Sequence, residues 1–136
     1  MSLVLDASMA LAWCFESEQT PAVMAVLDRV TEHGGHAPAL WPMEMANGLA
    51  TAQRRKRLTA TQRARLAGLV QALPVRVDPG SAMLTWGAVA VLAERYELSV
   101  YDAAYLELAI RLALPLASLD KPLRAAAVSA GVALVE

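Results

Sequence analysis

Short apolar runs alternate along the chain with longer stretches whose apolar residues recur every three to four positions, as strands and helices in turn would require. Residues 3–5 form such a run, stopped by Asp6, and read as a strand. Ser8 then suits the cap of a helix reaching about Phe15. Thr20 followed by Pro21 opens a second helix, which the pair Gly34-Gly35 ends. A second strand is expected over 36–40, and Pro42 begins a helix that runs into the basic cluster Arg54, Arg55, Lys56 and Arg57. Thr59 caps the next helix, which stops near Leu73 ahead of Pro74. Residues 75–77 read as a third strand, closed by the turn Asp78-Pro79-Gly80. Apolar helices are expected over 81–96 and 101–114, with 83–93 buried. Residues 116–119 make a fourth strand, Asp120-Lys121-Pro122 starts a helix lasting to Ala130, and 132–135 read as a fifth strand.

This alternation predicts an α/β fold, with a mostly parallel five-stranded sheet covered on both faces. Neither a linker nor a repeat interrupts the 136 residues, so 1–136 is expected to be a single domain. Binding crevices in such sheets lie beyond the C-terminal ends of the strands. Asp6 ends the first strand and Asp120 the fourth. Glu44 sits in the first turn of the helix after the second strand, and Asp102 in the first turn of the helix before the fourth. All four acids can therefore face one edge of the sheet.

Composition narrows the function. Hydrophobic residues make up 57% of the chain and charged ones 18%, so apolar surface is expected to be covered by a partner or a second copy. No apolar run is long enough to span a membrane. No secretion leader is expected from the opening residues, and Cys14 is a lone cysteine, so a reducing cytoplasm is the expected location. The net charge of −1 argues against a protein that coats nucleic acid. Its distribution says more: from Met45 to Val77 there is no acid, but Arg54, Arg55, Lys56, Arg57, Arg63, Arg65 and Arg76 all fall there. A basic surface beside acidic ends suits an enzyme that contacts phosphates.

Each acid also has an ordinary structural explanation. Ser99 and Asp102 have capping-box spacing, Glu44 in a first turn suits the helix dipole, and Asp120 and Asp6 are placed as caps. Together these explanations weaken. Four converging carboxylates repel one another, and only Lys121 is a cation adjacent in sequence to any of them. Hard oxygen ligands with little His or Cys suit Mg²⁺ or Mn²⁺ rather than Zn²⁺. The chemistry that follows is hydrolysis of a phosphodiester.

The same residues carry a family resemblance. Leu3-Val4-Leu5-Asp6-Ala7-Ser8 resembles the opening motif of PIN-domain nucleases, and Pro42-Met43-Glu44-Met45-Ala46-Asn47-Gly48-Leu49 resembles their second. Tyr101-Asp102-Ala103-Ala104-Tyr105-Leu106-Glu107-Leu108-Ala109 is similar to the third, and Leu116-Ala117-Ser118-Leu119-Asp120-Lys121-Pro122-Leu123 to the fourth. Within that family the chain most resembles the VapC-like ribonuclease toxins of bacterial toxin–antitoxin pairs. The resemblance implies a three-layer α/β/α PIN-like fold and a magnesium-dependent endoribonuclease, usually a homodimer, silenced by a small antitoxin. It also implies roles. Asp6, Asp102 and Asp120 would bind metal directly or through water, and Glu44 would complete the site and orient the attacking water. Ser8, Asn47 and Ser118 would orient the carboxylates by hydrogen bonds. The family more often has Thr where Ser118 stands, and the hydroxyl is kept.

Other residues have plainer readings. Arg54, Arg55, Lys56 and Arg57 could be a solvated helix end, but the acid-free block around them favours contact with an RNA backbone. His33 and His36 have no partner at metal-binding spacing, and Asp78 is explained by its turn. Trp13, Trp41 and Trp86 are expected in core or interface, and Cys14 as a small buried hydrophobe. Three rival readings remain. A receiver-like signalling domain wants adjacent acids after the first strand, where Asp6 stands alone. A phosphatase with an Asp nucleophile wants a second Asp where Ser8 stands. A PIN-like module that binds a partner without catalysis is the third alternative.

Overall fold

The computed structural model describes residues 1–135. Strands β1 (Val4–Leu5), β2 (Gly35–Ala37), β3 (Val75–Val77) and β4 (Leu116–Ala117) form one parallel sheet in the order β3-β2-β1-β4. Leu3, Val4 and Leu5 are all fully buried. Successive strand residues point to opposite faces, so helices cover both sides of β1.

The helices are α1 (Ala7–Ala12), α2 (Pro21–His33), α3 (Trp41–Arg54), α4 (Ala60–Ala72), α5 (Ala90–Tyr96), α6 (Val100–Leu112) and α7 (Lys121–Ser129). Their ends follow the chain chemistry. Thr20 Oγ1 accepts the Val23 N–H with Pro21 at the first position of α2, and Thr59 with Gln62 makes a reciprocal capping box on α4. Gly34 closes α2 at φ +77°, and a Cβ there would stand 3.2 Å from the Pro74 carbonyl oxygen, so only glycine is comfortable. Residues 103–109 of α6 are buried without a break, which makes α6 the central helix of the core.

Three expectations need correction. Among the described residues the sheet has four strands rather than five. Pro115 and Ala117 turn their carbonyls to β1, accepting from the Val4 and Asp6 N–H groups, and Leu116 bonds the C-terminal segment, donating to the Ala133 carbonyl and accepting from the Val135 N–H. Among the described residues that segment joins through a single parallel bridge, Leu116 to Leu134. Residues 81–96 do not form one buried helix. They break into a 3₁₀ turn (Ser81–Leu84), a π turn (Thr85–Val89) and α5, around non-helical angles at Gly87. Between 83 and 93 only Val89 is buried, while Met83 is 88% and Trp86 93% exposed. Finally, Asp6 rather than Ser8 occupies the N-cap of α1. No helix among the described residues is long and apolar enough to cross a membrane.

Candidate functional site

The chain steps outward from β1 to β2 to β3, then returns to lay β4 on the other side of β1. The β1–β4 seam is thus the point where the winding reverses, and the loops leaving its C-terminal ends diverge and open a crevice. Asp6 follows β1 there, and Asp120 follows β4 as the N-cap of α7. The first turns of α3 and α6 bring Glu44 and Asp102 to the same place. Asp6, Ser8, Glu44, Asn47, Asp102 and Asp120 line one pocket of about 320 Å³. Gly48 lines it too, where a Cβ would come within 2.6 Å of Leu11, so the missing side chain allows α3 to approach α1 closely.

Capping accounts for these acids unequally. Asp6 stands at an N-cap without capping the helix through its side chain. Instead its Oδ2 accepts from Ser8 Oγ at 2.5 Å and from the fully buried Ser118 Oγ at 2.7 Å. Both hydroxyls are themselves anchored, Ser8 by the Leu119 N–H at 2.9 Å and Ser118 by the Asp120 N–H at 3.0 Å. Two serines thus tie the exits of β1 and β4 together and aim one carboxylate. Asp120 does cap α7, accepting the Leu123 N–H at 2.9 Å through Oδ2. On α6 the cap is Ser99, whose hydroxyl accepts the Asp102 N–H at 3.1 Å. Glu44 Oε1 accepts from the buried Tyr105 hydroxyl at 2.6 Å.

The electrostatics are those of crowded anions. Burial raises the pKa of Asp6, the two serines pull it back in part, and the charge of Asp120 raises it again. Glu44 is raised by burial and by Asp6, against the opposing pull of Tyr105. Asp102 is pushed up to about 6, by burial first and then by Asp120, Asp6 and Glu44. Each of these carboxylates holds its proton more tightly than it would in water, and a cation placed among them would release it. Oxygen donors of this kind suit a hard cation such as Mg²⁺ or Mn²⁺. Among the described residues, no three His, Cys, Asp or Glu side chains already surround one ion position. Mg²⁺ does not need such a cage, since one or two carboxylates hold it while it keeps several waters.

The basic cluster divides. Arg55 and Arg57 line a groove of about 450 Å³ that shares Ser8, Leu11, Asn47 and Gly48 with the acid pocket. Arg57 is engaged there, paired with Glu18 at 2.9 Å and stacked over the Phe15 ring at 4.1 Å. Arg54 bonds to Thr51 one turn back, and Lys56, at φ +61°, is exposed in the turn after α3; neither lines that groove.

Sequence reasoning passed over two residues of consequence. Tyr105 lies one helical turn after Asp102, and a buried phenol always needs a partner for its hydroxyl, which was the available signal. Asp78 is more than a turn residue, since its Oδ2 accepts from Arg111 at 2.7 Å, and Arg111 also pairs with the buried Glu107 at 2.9 Å. That network occupies the Asp at the end of β3, where a receiver domain would need a free carboxylate. Trp13 and Trp41 are in the core as expected, whereas Trp86 is at the surface. Cys14 is half-buried, and burial pushes its thiol pKa up, away from nucleophilic use.

A PIN domain family model matches residues 3–129 of this chain. Among solved structures, the crystal structure of PAE2754 from Pyrobaculum aerophilum is similar in fold, with a TM-score of 0.69 and 24% identity. The similarity covers 93% of this chain and 84% of that one. A search of curated proteins finds no match.

Proposed function

Given that the chain belongs to the PIN-domain family, whose members are generally metal-dependent nucleases, we propose that it is an Mg²⁺- or Mn²⁺-dependent endoribonuclease. Residues 1–136 would be one PIN-like nuclease domain, acting in the cytoplasm as the toxin of a toxin–antitoxin pair. The observation that carries this reading is the convergence of Asp6, Glu44, Asp102 and Asp120 in one pocket. These side chains come from four different elements, and no single helix cap needs them together.

Asp6, Asp102 and Asp120 would hold the ion, directly or through water. Bound there, a divalent cation would activate water and neutralise charge on the phosphate oxygens. The chain's own residues supply the rest. Ser8 and Ser118 keep the Asp6 carboxylate in one orientation, so that no reorganisation is needed when substrate arrives. Glu44, raised in pKa and facing the same pocket, is suited to hold the attacking water and take its proton. Asn47 lies one turn after Glu44 and lines both the pocket and the groove, where its amide can bond a phosphate or a carboxylate. Arg55 in the adjoining groove would neutralise the RNA backbone on its way in.

The toxin assignment rests on the resemblance of the four motifs to VapC-like proteins and on the apolar surface. Met83, Trp86 and Val91 are exposed on one short segment, which fits a homodimer face or an antitoxin-binding face. The test is sequencing of RNA 5′ ends after brief expression of the wild-type chain and of Asp6→Asn. New ends at defined sites with the wild type alone are expected. Identical end profiles for the two would refute the ribonuclease reading.

A further inference from the structure

Glu44 receives its hydrogen bond from a side chain remote in sequence on a different helix. Tyr105 is fully buried, 61 positions away on α6, and its hydroxyl meets Glu44 Oε1 at 2.6 Å. A phenol buried to that extent has no water to fall back on, so its bond to the carboxylate is obligatory. From the carboxylate's side, a charge-assisted bond of this length fixes the side-chain torsions of an otherwise flexible glutamate. Asp102 lies three residues before Tyr105, close to one helical turn, so both project from neighbouring positions on one face of α6. A single helix thus contributes one acid to the pocket and holds another in place.

We propose that Tyr105 is a positioning residue of the site: by occupying Oε1 it commits Glu44 to work through Oε2 and sets where that oxygen stands relative to Asp102. This rests on the reading of Glu44 as a functional acid. It also predicts the division of labour in the pocket. Asp6 is aimed by two hydroxyls that arrive with β1 and β4, and Glu44 by one that arrives with α6. Both carboxylates then have one oxygen bonded to the protein, and the site is assembled only when α6 is seated on the sheet.

The test is a double-mutant cycle read first by Mn²⁺ binding, through calorimetry or the electron paramagnetic resonance of free Mn²⁺, and second by RNA cleavage. Tyr105→Phe keeps the ring and removes only the hydroxyl. Removing such an outer partner should weaken Mn²⁺ binding, cleavage or both by about tenfold or more. In a Glu44→Gln background the same change should cost far less, because the group it positions has already gone. Thermal unfolding without metal shows whether each variant is folded. Should Tyr105→Phe prove too unstable alone, the Glu44→Gln and Tyr105→Phe/Glu44→Gln pair is compared at a temperature where both are folded; a large further loss of Mn²⁺ binding there overturns the proposal. Wild-type Mn²⁺ binding and cleavage in Tyr105→Phe, or equal losses in both backgrounds, also overturn it. A wild-type chain that neither binds Mn²⁺ nor cuts RNA would instead refute the nuclease reading on which it rests.

Discussion

Asp6 holds the position of a helix cap but turns its carboxylate to two serine hydroxyls, and that choice has measurable consequences. Replacing Asp6 or Asp102 by Asn should abolish most cleavage while leaving the fold intact, as circular dichroism and a cleavage assay can check together. Stability adds a second readout. Asp102 has its pKa raised to about 6 from an ordinary 3.8, and Asp6 and Glu44 are raised as well. A carboxyl that binds its proton more tightly when folded contributes stability below its unfolded pKa, and loses that contribution as pH rises through the folded value. The metal-free protein should therefore lose stability from about pH 4 to about pH 6, and Asp102→Asn should flatten that fall. Urea denaturation in EDTA across this range measures it. An Asn variant no more stable than wild type at pH 7, with an unchanged slope, would contradict the assignment of Asp102 to a repelling cluster. Ser118→Ala should cost about 1–3 kcal/mol, since it strips a buried carboxylate of one donor and the Asp120 N–H of its acceptor.

The elements divide between those visible in the chain and those set by packing. Val75–Val77 was legible to the residue, because Pro74 and the Asp78-Pro79-Gly80 turn bracket it. Helices α2 and α4 were legible from Thr20-Pro21 and Thr59, whose caps form as expected. The fifth strand was not, because its apolar residues look like any strand while, among the described residues, the C-terminal segment meets β4 in one bridge. The break at Gly87 was also hidden: a lone glycine in an apolar helix is common, and only tertiary packing decides whether it bends. At the site, the acids could be found from their places at strand and helix ends, but the pairing of Tyr105 with Glu44 could not, because the two lie 61 positions apart. The basic cluster makes an element-scale prediction. Arg55→Glu should weaken RNA binding and reduce the slope of affinity against salt by about one unit or more per lost phosphate contact, whereas Lys56→Glu should change it less. Equal effects at both positions would mean that the groove beside the acids does not carry the backbone.

For the whole molecule, the apolar surface and the acid pocket make separate claims. Met83 and Trp86 are almost entirely exposed, on a segment where a helix was expected to bury them. Trp86→Ala should shift the protein toward monomer in sedimentation, if that face joins two copies, without changing metal-dependent cleavage per site. An unchanged sedimentation profile in a dimeric wild type would move the interface elsewhere. On the proposed toxin reading, the wild-type chain expressed alone should arrest growth, and the Asp6→Asn change should relieve the arrest. Equal growth of wild type and Asp6→Asn at equal protein levels would remove the toxin assignment and leave the nuclease to be judged by itself. Whether the four converging carboxylates make a metal-dependent ribonuclease is tested most directly by one assay. Purified protein is stripped with EDTA, then mixed with RNA while Mg²⁺ or Mn²⁺ is added back, with Asp6→Asn in parallel. Cleavage that is absent after chelation, returns with either ion and never appears in Asp6→Asn is the predicted result. Cleavage that survives chelation, or that Asp6→Asn retains in full, would contradict it.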